Sequence, residues 1–74
     1  MNRICELRKK RKISQQIFAE DLNVDRSTIS KWETGESNPT MDKIIEISDY
    51  FKVSIDFLLG RESSPQSHQS AVGE

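Results

Sequence analysis

The chain has 74 residues, of which 34% are hydrophobic and 31% charged, and its formal net charge is −1. This length allows one small domain with a thin core, and no apolar run is long enough for a membrane span or a signal-peptide core. The single cysteine, Cys5, excludes an internal disulfide and, without a second Cys or a well-placed His, a zinc site. We therefore expect a soluble, cytoplasmic domain that needs no metal and no cofactor.

Charge is distributed unevenly along the chain. Residues 1–12 contain six basic residues and one acidic residue, whereas the rest of the chain contains five basic and eleven acidic residues. Such a chain has a basic end and an acidic end, and only the basic end suits phosphates. A basic run of this kind is more often a solvated helix face than a binding patch, so it supports a binding role only in combination with the helices after residue 12.

The first predicted helix begins after Asn2, which can cap it, and runs to about Arg11. Ile4 and Leu7 lie three residues apart on its apolar face, and charged residues occupy the opposite face. Arg8 lies beside the apolar face, so we expect it to reach inward to a carboxylate while the neighbouring lysines stay in water.

Two N-cap residues predict the next pair of helices. Ser14 begins a helix from Gln15 to about Asp21, and Asp25 begins a helix from Arg26 to about Thr34. An apolar residue precedes each cap and another follows it four positions later, which is the spacing of a hydrophobic staple. These residues are Ile13 and Phe18 for the first cap, and Val24 and Ile29 for the second.

The segment between these helices, Leu22-Asn23-Val24, is too short to be a linker. Asn tolerates the left-handed backbone that a tight corner needs, and Gly35 can end the following helix in the same conformation. The pattern predicts helix, tight turn, helix. Trp32 lies three positions after Ile29, and this spacing favours a core position over a base-stacking one.

Two further helices and a tail complete the prediction. Thr40 caps a fourth helix that runs to about Phe51, and Ser54 caps a short fifth helix that Gly60 stops. We expect the fourth helix to be the buried centre of the bundle because its apolar residues cover more than a narrow stripe: Met41, Ile44, Ile45, Ile47 and Phe51. Residues 61–74 are rich in Ser, Gln and Pro, so the domain comprises residues 1–60 and the tail is predicted to be disordered.

Motifs for catalysis are absent from the sequence of residues 1–60. That sequence shows no Gly-rich phosphate loop, metal-ligand cluster or nucleophile with an activating histidine. The only histidine, His68, lies in the predicted tail. We therefore expect neither an enzyme nor a site for a small-molecule substrate.

The third helix carries side chains suited to double-stranded DNA. The major groove admits one α-helix, and a recognition helix touches base edges with the N-terminal half of its exposed side. The candidates for base contact are Arg26, Ser27, Thr28 and Lys31. The arginine offers a bidentate donor, the serine and threonine offer short hydroxyls, and the lysine offers an ammonium group. The start of the second helix presents backbone N–H groups to a phosphate. Candidates for phosphate contact are Ser14, Gln15, Gln16 and Ser30.

The run ISQQIFAEDLNVDRSTISKWETGESNP, continued through VSIDFLLG, resembles the lambda-repressor-like, Cro/CI-type helix-turn-helix family, also called the xenobiotic response element family. The similarity covers roughly residues 3–60 and includes G-x-x-x-P after the third helix and V-S-x-x-x-L-L-G at the end. It implies an all-α fold, a compact five-helix lambda-repressor-like bundle with helices 2 and 3 as the helix-turn-helix. It also implies a transcriptional regulator, most often a repressor on a pseudo-palindromic operator.

The resemblance assigns roles to further residues. Gln15 matches the family's phosphate-binding and base-supporting glutamine, and Asn38 matches a loop position that contacts the DNA backbone. Arg8 and Glu33 match a pair that often forms a partly buried salt bridge between helix 1 and the end of helix 3. Three positions depart from the family pattern: Asn23 and Lys52 replace common glycines, and Glu36 replaces a residue that is often basic.

The need to recognise one DNA sequence among many predicts that the protein acts as a homodimer. One recognition helix contacts only a few base pairs, so useful specificity usually needs two copies on half-sites about one helical turn apart. Apolar residues of the fifth helix exceed what a thin core can hide, although they can also all close the bundle. These candidates for the dimer interface are Ile55, Phe57, Leu58 and Leu59.

Two other functions stay open at this point. An antitoxin would use the same helix-turn-helix on its own operator and a second surface for a toxin, so a co-purifying toxin would identify it. A helical protein-interaction module would use the last two helices and bind no DNA. The test that separates it from a DNA-binding protein is whether the protein binds DNA with an affinity that falls steeply with salt, as phosphate neutralisation demands.

Overall fold

A computed structural model describes residues 2–61, and this part of the chain is entirely helical, without a strand. The helices are α1 (Ile4–Lys10), α2 (Gln15–Leu22), α3 (Arg26–Thr34), α4 (Met41–Phe51) and α5 (Ile55–Leu58). The predicted five-helix bundle is therefore confirmed for residues 2–61. Residues 62–74, which hold nearly all of the predicted tail and His68, lie outside the described residues. None of the described helices is long and apolar enough to cross a membrane.

Side-chain caps fix where most helices begin. Ser14, Thr40 and Ser54 each accept the backbone N–H three residues later, at 3.1, 3.3 and 3.0 Å respectively. Asp25 occupies the N-cap position of α3, but its side chain makes no capping bond to the described residues. At α1 the Oδ1 atom of Asn2 accepts the backbone N–H of Ile4 at 3.0 Å. The local cap signals thus placed these starts within one or two residues.

Three corners of the chain share one construction. Each contains a residue with left-handed φ, then an apolar residue, then an N-cap residue: Lys12-Ile13-Ser14, Asn23-Val24-Asp25 and Lys52-Val53-Ser54. In each corner the backbone N–H of the apolar residue donates to the carbonyl five residues earlier, at 2.9–3.1 Å. This bond belongs to the Schellman motif, which satisfies carbonyls at the end of a helix. The sequence predicted the corner at Asn23, whereas the lysine at position 12 gave no such indication.

The hydrophobic core draws residues from every helix. Its fully buried members include one or more from each element: Ile4, Phe18, Leu22, Ile29, Ile47 and Leu58. Phe18 packs against Tyr50 and Phe51 with ring centroids 5.2 and 5.3 Å apart. Trp32 is buried as well, so the structure places it in the core rather than on a base-stacking surface.

The prediction that α4 forms the buried centre of the bundle is wrong. Ile44, Ile47 and Phe51 are buried, but Met41 and Ile45 are 60% and 44% exposed. The same buried face also contributes Ser48, whose hydroxyl donates to the Ile45 carbonyl at 2.8 Å. A domain of this size has too few helices to surround one of them, so α4 lies at the edge with one face outward.

Leu58 also differs from its predicted place. It is fully buried in the core of its own chain, so it does not contribute to an exposed dimer surface. Ile55 and Leu59 pack against the core and remain partly exposed, and Phe57 is partly exposed beneath the Arg3 guanidinium, which lies 4.3 Å from its ring centroid. Leu58 points inward because the short α5 must close the bundle with one of its apolar residues.

Arginines of the basic N-terminal segment bind to the ends of other helices. The Nε atom of Arg3 donates to the Phe57 carbonyl at 2.9 Å, and the Nη2 atom of Arg11 donates to the Phe51 carbonyl at 3.0 Å. Cations at helix C-termini are stabilising because the carbonyls there lack helical partners. Lys9, Lys10 and Lys12 stay exposed together with Arg11, and the three lysines supply most of the positive surface of this segment.

The most buried charges of the domain form one ion pair between α1 and α3. The Arg8 Nε atom lies 2.6 Å from Glu33 Oε2, and its Nη2 atom lies 3.1 Å from Glu33 Oε1. The Arg8 Nη1 atom also donates to the Ile13 carbonyl at 2.8 Å. The two side chains are only 10% and 6% exposed. A bidentate pair with its remaining donor satisfied is the geometry in which a buried ion pair offsets its desolvation cost.

The environment of this pair shifts both pKa values. Burial alone would raise the pKa of Glu33, but the hydrogen bonds from Arg8 and Gln15, together with the Arg8 charge, outweigh burial and lower it. The hydrogen bond with Glu33 raises the pKa of Arg8 further above its ordinary value, against the opposing effect of burial. Both groups are therefore charged at neutral pH.

We expect Lys52→Gly to stabilise the domain by about 0.5–1 kcal/mol. Lys52 adopts φ 59°, a conformation that costs a residue with a Cβ about 1–2 kcal/mol and costs Gly only its chain entropy. Urea unfolding measures the change. The matched control is Lys9→Gly in the exposed face of α1, which should destabilise by about 0.5–1 kcal/mol. A loss of stability in Lys52→Gly would contradict the strain assigned to this corner.

We expect Glu33→Gln to lower stability at neutral pH by about 3 kcal/mol, because one partner of a buried ion pair is removed. The pKa of Glu33 is lower in the folded than in the unfolded chain. Its contribution is therefore complete above the ordinary value of 4.5 and is lost as the pH falls through the lower folded value. Urea unfolding as a function of pH should show the two proteins converging in acid. The exposed control Glu36→Gln should change stability little at any pH, and a constant gap between wild type and Glu33→Gln would contradict the assignment.

Candidate nucleic-acid interface

The α2, turn and α3 unit is rigid at its corner. The backbone N–H groups of Asn23 and Val24 donate to the carbonyls of Glu20 and Ala19 at 3.1 and 2.9 Å. Ala19 and Ile29 are both buried, one on each helix, so the inner faces of α2 and α3 share the core. This packing fixes the direction of α3 and leaves its other side open to solvent.

Contacts distant in sequence hold α2 from outside the unit. The Lys43 ammonium group donates to the Leu22 carbonyl at the end of α2 at 2.6 Å, and the Tyr50 hydroxyl donates to Asp21 Oδ2 at 2.6 Å. The hydrogen bond to Asp21 is the main reason that the pKa of Tyr50 is raised. Sequence reasoning missed Lys43 and Tyr50 because their partners lie 21 and 29 positions away.

The open side of α3 carries most of the predicted base-contacting residues. Arg26, Ser27 and Lys31 are exposed, whereas Thr28 is only partly exposed. Because each residue turns a helix by about 100°, Arg26, Ser27 and Lys31 lie within one side of α3 and Thr28 lies nearer the core. The structure therefore brings Arg26, Ser27 and Lys31 together on the outer side and sets Thr28 at its margin. Ser30 lies on the same side, one turn after Arg26, and is partly exposed.

The other predicted phosphate-contacting residues lie at the start of α2 and in the loop before α4. Ser14 and Gln16 are exposed at the start of α2, and Asn38 is exposed in the loop before α4. Ser14 uses its oxygen to accept the Ile17 N–H, which leaves its own hydroxyl proton available as a donor. The Nε2 atom of Gln16 donates to Glu20 Oε2 at 2.9 Å, one turn along the same helix.

Gln15 connects α2 with both ends of α3. Its Nε2 atom donates to Glu33 Oε1 at 3.0 Å, and its Oε1 atom accepts from Arg26 Nη1 at 3.3 Å. The side chain is half-buried, unlike its neighbours Ser14 and Gln16. Gln15 is thus held between a buried carboxylate and an exposed guanidinium, a position that the sequence alone did not reveal.

The part of the chain from residue 2 to residue 61 has no cluster of three His, Cys, Asp or Glu side chains that could hold a metal ion. Cys5 lies beside the ion pair, with its Sγ atom 3.8 Å from Arg8 Nη2. The chemistry that this surface offers is hydrogen bonding by cationic and short polar side chains on a helix that projects from the core. Such a surface suits the edges of bases and the phosphates that flank them.

Comparison with known proteins agrees with this geometry. A helix-turn-helix family model matches residues 5–58. The chain is 35% identical over 72 residues to the HTH-type transcriptional regulator AnsR of Bacillus subtilis, across 97% of this chain and 62% of AnsR. It is 42% identical over 60 residues to the HTH-type transcriptional activator BcrR of Enterococcus faecalis, across 81% of this chain and 29% of BcrR. It is 30% identical over 67 residues to the cryptic phage CTXphi transcriptional repressor RstR of Vibrio cholerae, across 90% of this chain and 60% of RstR.

The chain spans less than two thirds of the length of each of these relatives. The family match runs from α1 to the end of α5, so it includes the α2, turn and α3 unit and the exposed side of α3. All three relatives are named as transcriptional regulators, and none is named as an enzyme. The chain belongs to the Cro/CI-type helix-turn-helix family of DNA-binding transcriptional regulators.

Proposed function

We propose that the protein is a transcriptional repressor that acts in the cytoplasm and binds a pseudo-palindromic operator as a homodimer, with α3 in the major groove. The observation that carries this proposal is the outer side of α3, where Arg26, Ser27 and Lys31 are exposed together at the end of a rigid corner. A helix that projects in this way and carries donors in its first two turns fits the major groove.

Arg26 and Lys31 carry most of the proposed base readout. A guanidinium can bond the O6 and N7 atoms of guanine in a bidentate way, which is worth about 1–3 kcal/mol of discrimination. Lys31 lies more than one turn further along α3 and reaches a second guanine or a phosphate. Ser27, and Thr28 at the margin, add short hydroxyls that allow close approach and weaker discrimination.

Phosphate contacts position the helix in this proposal. Ser14, Gln15 and Gln16 surround the N-terminus of α2, where the first backbone N–H groups lack helical acceptors. Ser30 and Asn38 lie on α3 and in the following loop. Because Glu36 in that loop is exposed and acidic, we assign the loop a weaker share of phosphate binding than the start of α2.

The proposed dimer surface is the outer part of α5. Ile55, Phe57 and Leu59 are partly exposed there, and the buried Leu58 is not included. Two copies double the number of base contacts, and each mismatched base pair typically costs about 1–3 kcal/mol. The two-fold axis of such a dimer requires an operator with two related half-sites.

We prefer repression to activation on physical grounds. Occupation of a promoter by a bound dimer is enough to block it, whereas activation needs a further productive contact. RstR is named as a repressor and BcrR as an activator. A promoter fused to the selected operator distinguishes the two, because a repressor lowers reporter output and an activator raises it.

Repeated selection from a random duplex pool should recover an inverted repeat. Arg26→Ala and Lys31→Ala should each weaken binding to it by about 1–3 kcal/mol per half-site, because each removes a base or phosphate contact. The matched control Lys52→Gly also removes one positive charge, but at the corner between α4 and α5, and should leave the affinity nearly unchanged. Affinity should fall steeply with salt. No enrichment at low salt would contradict the proposal and favour a protein-interaction module.

Ile55→Lys should convert the dimer to a monomer. Operator binding should then weaken at least about tenfold, because a monomer contacts only one of the two half-sites. Sedimentation equilibrium measures the association directly. The control is Ile17→Lys, the same change at a position of α2 that is 51% exposed, and it should stay dimeric. A wild-type protein that is monomeric both free and on the operator would refute the dimer, and an Ile55→Lys protein that dimerises normally would place the interface elsewhere.

A further inference from the structure

A chain of hydrogen bonds runs from the core to the exposed start of α3. Arg8 donates to both carboxylate oxygens of Glu33, at 2.6 and 3.1 Å. Gln15 Nε2 donates to Glu33 Oε1 at 3.0 Å, and Arg26 Nη1 donates to Gln15 Oε1 at 3.3 Å. Solvent exposure rises along this series of hydrogen-bonded side chains. Arg8 and Glu33 are almost fully buried, Gln15 is half-buried and Arg26 is exposed.

The chemistry of the end groups dictates the orientation of the Gln15 carboxamide. A guanidinium has only donors, and an ionised carboxylate has only acceptors. With its amide reversed, Gln15 would set its oxygen against the Glu33 carboxylate and its NH₂ group against the Arg26 guanidinium. Both contacts would be repulsive, and a nearly buried carboxylate would lose a partner. Gln15 therefore has a single favourable orientation, and Glu33 selects it.

We propose that Glu33 is a positioning residue for base recognition: by accepting from Gln15 Nε2 it turns the Gln15 oxygen toward Arg26 and holds that guanidinium ready for a guanine. This inference rests on the proposed role of Arg26 as a base-contacting residue. It gives the Glu33 carboxylate a function in specificity that is separate from the stability of its ion pair with Arg8.

The geometry of Arg26 suits this role. Its hydrogen bond to Gln15 uses Nη1, so the edge formed by Nε and Nη2 makes no hydrogen bond to the described residues. That edge presents two parallel N–H groups, the arrangement that matches guanine O6 and N7. Holding a long side chain before binding reduces the entropy lost when the complex forms. Arg26 would thus meet the base already oriented, because Glu33 holds Gln15 and Gln15 holds the Arg26 guanidinium.

The test begins with the operator selected by the wild-type protein. Single-base substitutions in that operator, measured with wild type and with Arg26→Ala, identify the base pair that Arg26 reads. The quantity of interest is the affinity for the operator with guanine at this position divided by the affinity for the operator with adenine there. A loss of phosphate binding weakens both complexes equally and therefore cancels in this guanine ratio. If Arg26→Ala leaves every ratio unchanged, the proposed function of Arg26 fails, and the role of Glu33 fails with it.

Glu33→Gln should then reduce this ratio by about three- to tenfold, the value of one hydrogen bond. The introduced amide offers a single oxygen, which buried Arg8 takes, so the Gln15 carboxamide loses the acceptor that orients it. The matched control is Arg8→Lys, which breaks the bidentate geometry of the same ion pair but leaves the carboxylate in place. It should lower stability yet keep the ratio within about twofold of wild type. All ratios are measured below the melting temperature of each variant.

The most discriminating variant exchanges the side chains of Gln15 and Glu33. In the double variant Gln15→Glu with Glu33→Gln, the carboxylate at position 15 accepts from Arg26 and from the amide at position 33, whose oxygen accepts from Arg8. Every donor again faces an acceptor, so the double variant should regain most of the guanine ratio lost in either single variant. Gln15→Glu alone sets two carboxylates against each other and should lose it. If Glu33→Gln does not fold, Glu33→Asp takes its place: it keeps a carboxylate for Arg8 but shortens the side chain away from Gln15, and it should likewise reduce the guanine ratio.

Three results would overturn the inference. The first is a guanine ratio in folded Glu33→Gln equal to that of wild type. The second is a loss in Arg8→Lys as large as the loss in Glu33→Gln, because the intact ion pair, and not the acceptor for Gln15, then sets the ratio. The third is a double variant no better than Gln15→Glu. Each of these results leaves the proposed DNA-binding role of Arg26 intact, since Arg26→Ala tests that role separately.

Discussion

The ion pair between Arg8 and Glu33 is the contact on which the arrangement of the first three helices depends. It joins α1 to the end of α3, and through Gln15 it also reaches the start of α2. Removing one partner of such a pair strands a buried charge, which costs more than the intact pair contributes. A thin core cannot by itself fix three short helices at defined angles, so this polar contact supplies orientation that apolar packing lacks.

Three corners with the same backbone construction let this short chain change direction between helices without long loops. The three corners that begin at Lys12, Asn23 and Lys52 each pair a left-handed residue with an apolar residue and an N-cap residue. The left-handed residue ends one helix, and the cap begins the next within two positions. Because each corner satisfies its own carbonyls, no long loop is required, and α3 leaves the core at a fixed angle. The exposed side of α3 owes its position to these short corners.

Local signals predicted much of the fold, and the family resemblance predicted the Arg8–Glu33 pair, whereas the other long-range contacts escaped prediction. The caps at Ser14, Thr40 and Ser54 depend on neighbours three residues away, so the sequence shows them directly. The exposure of Met41 and Ile45 and the burial of Leu58 depend on how many helices surround each side chain, which periodicity does not reveal. The outer side of α3 was predictable because helical spacing separates Arg26 and Lys31 from Ile29 and Trp32. The partners of Gln15 were not predictable, since they lie 11 and 18 positions away on another helix.

In the proposed complex α3 lies in the major groove, with Arg26 against a guanine in each half-site. Methylation interference on the selected operator tests this most directly, because the methyl group at guanine N7 lies in the major groove, where Arg26 would bind. We expect methylation of one guanine per half-site, the two about one helical turn apart, to block wild-type binding and to have little effect on Arg26→Ala. Interference confined to adenine N3 in the minor groove, or the same pattern for both proteins, would contradict this placement of α3.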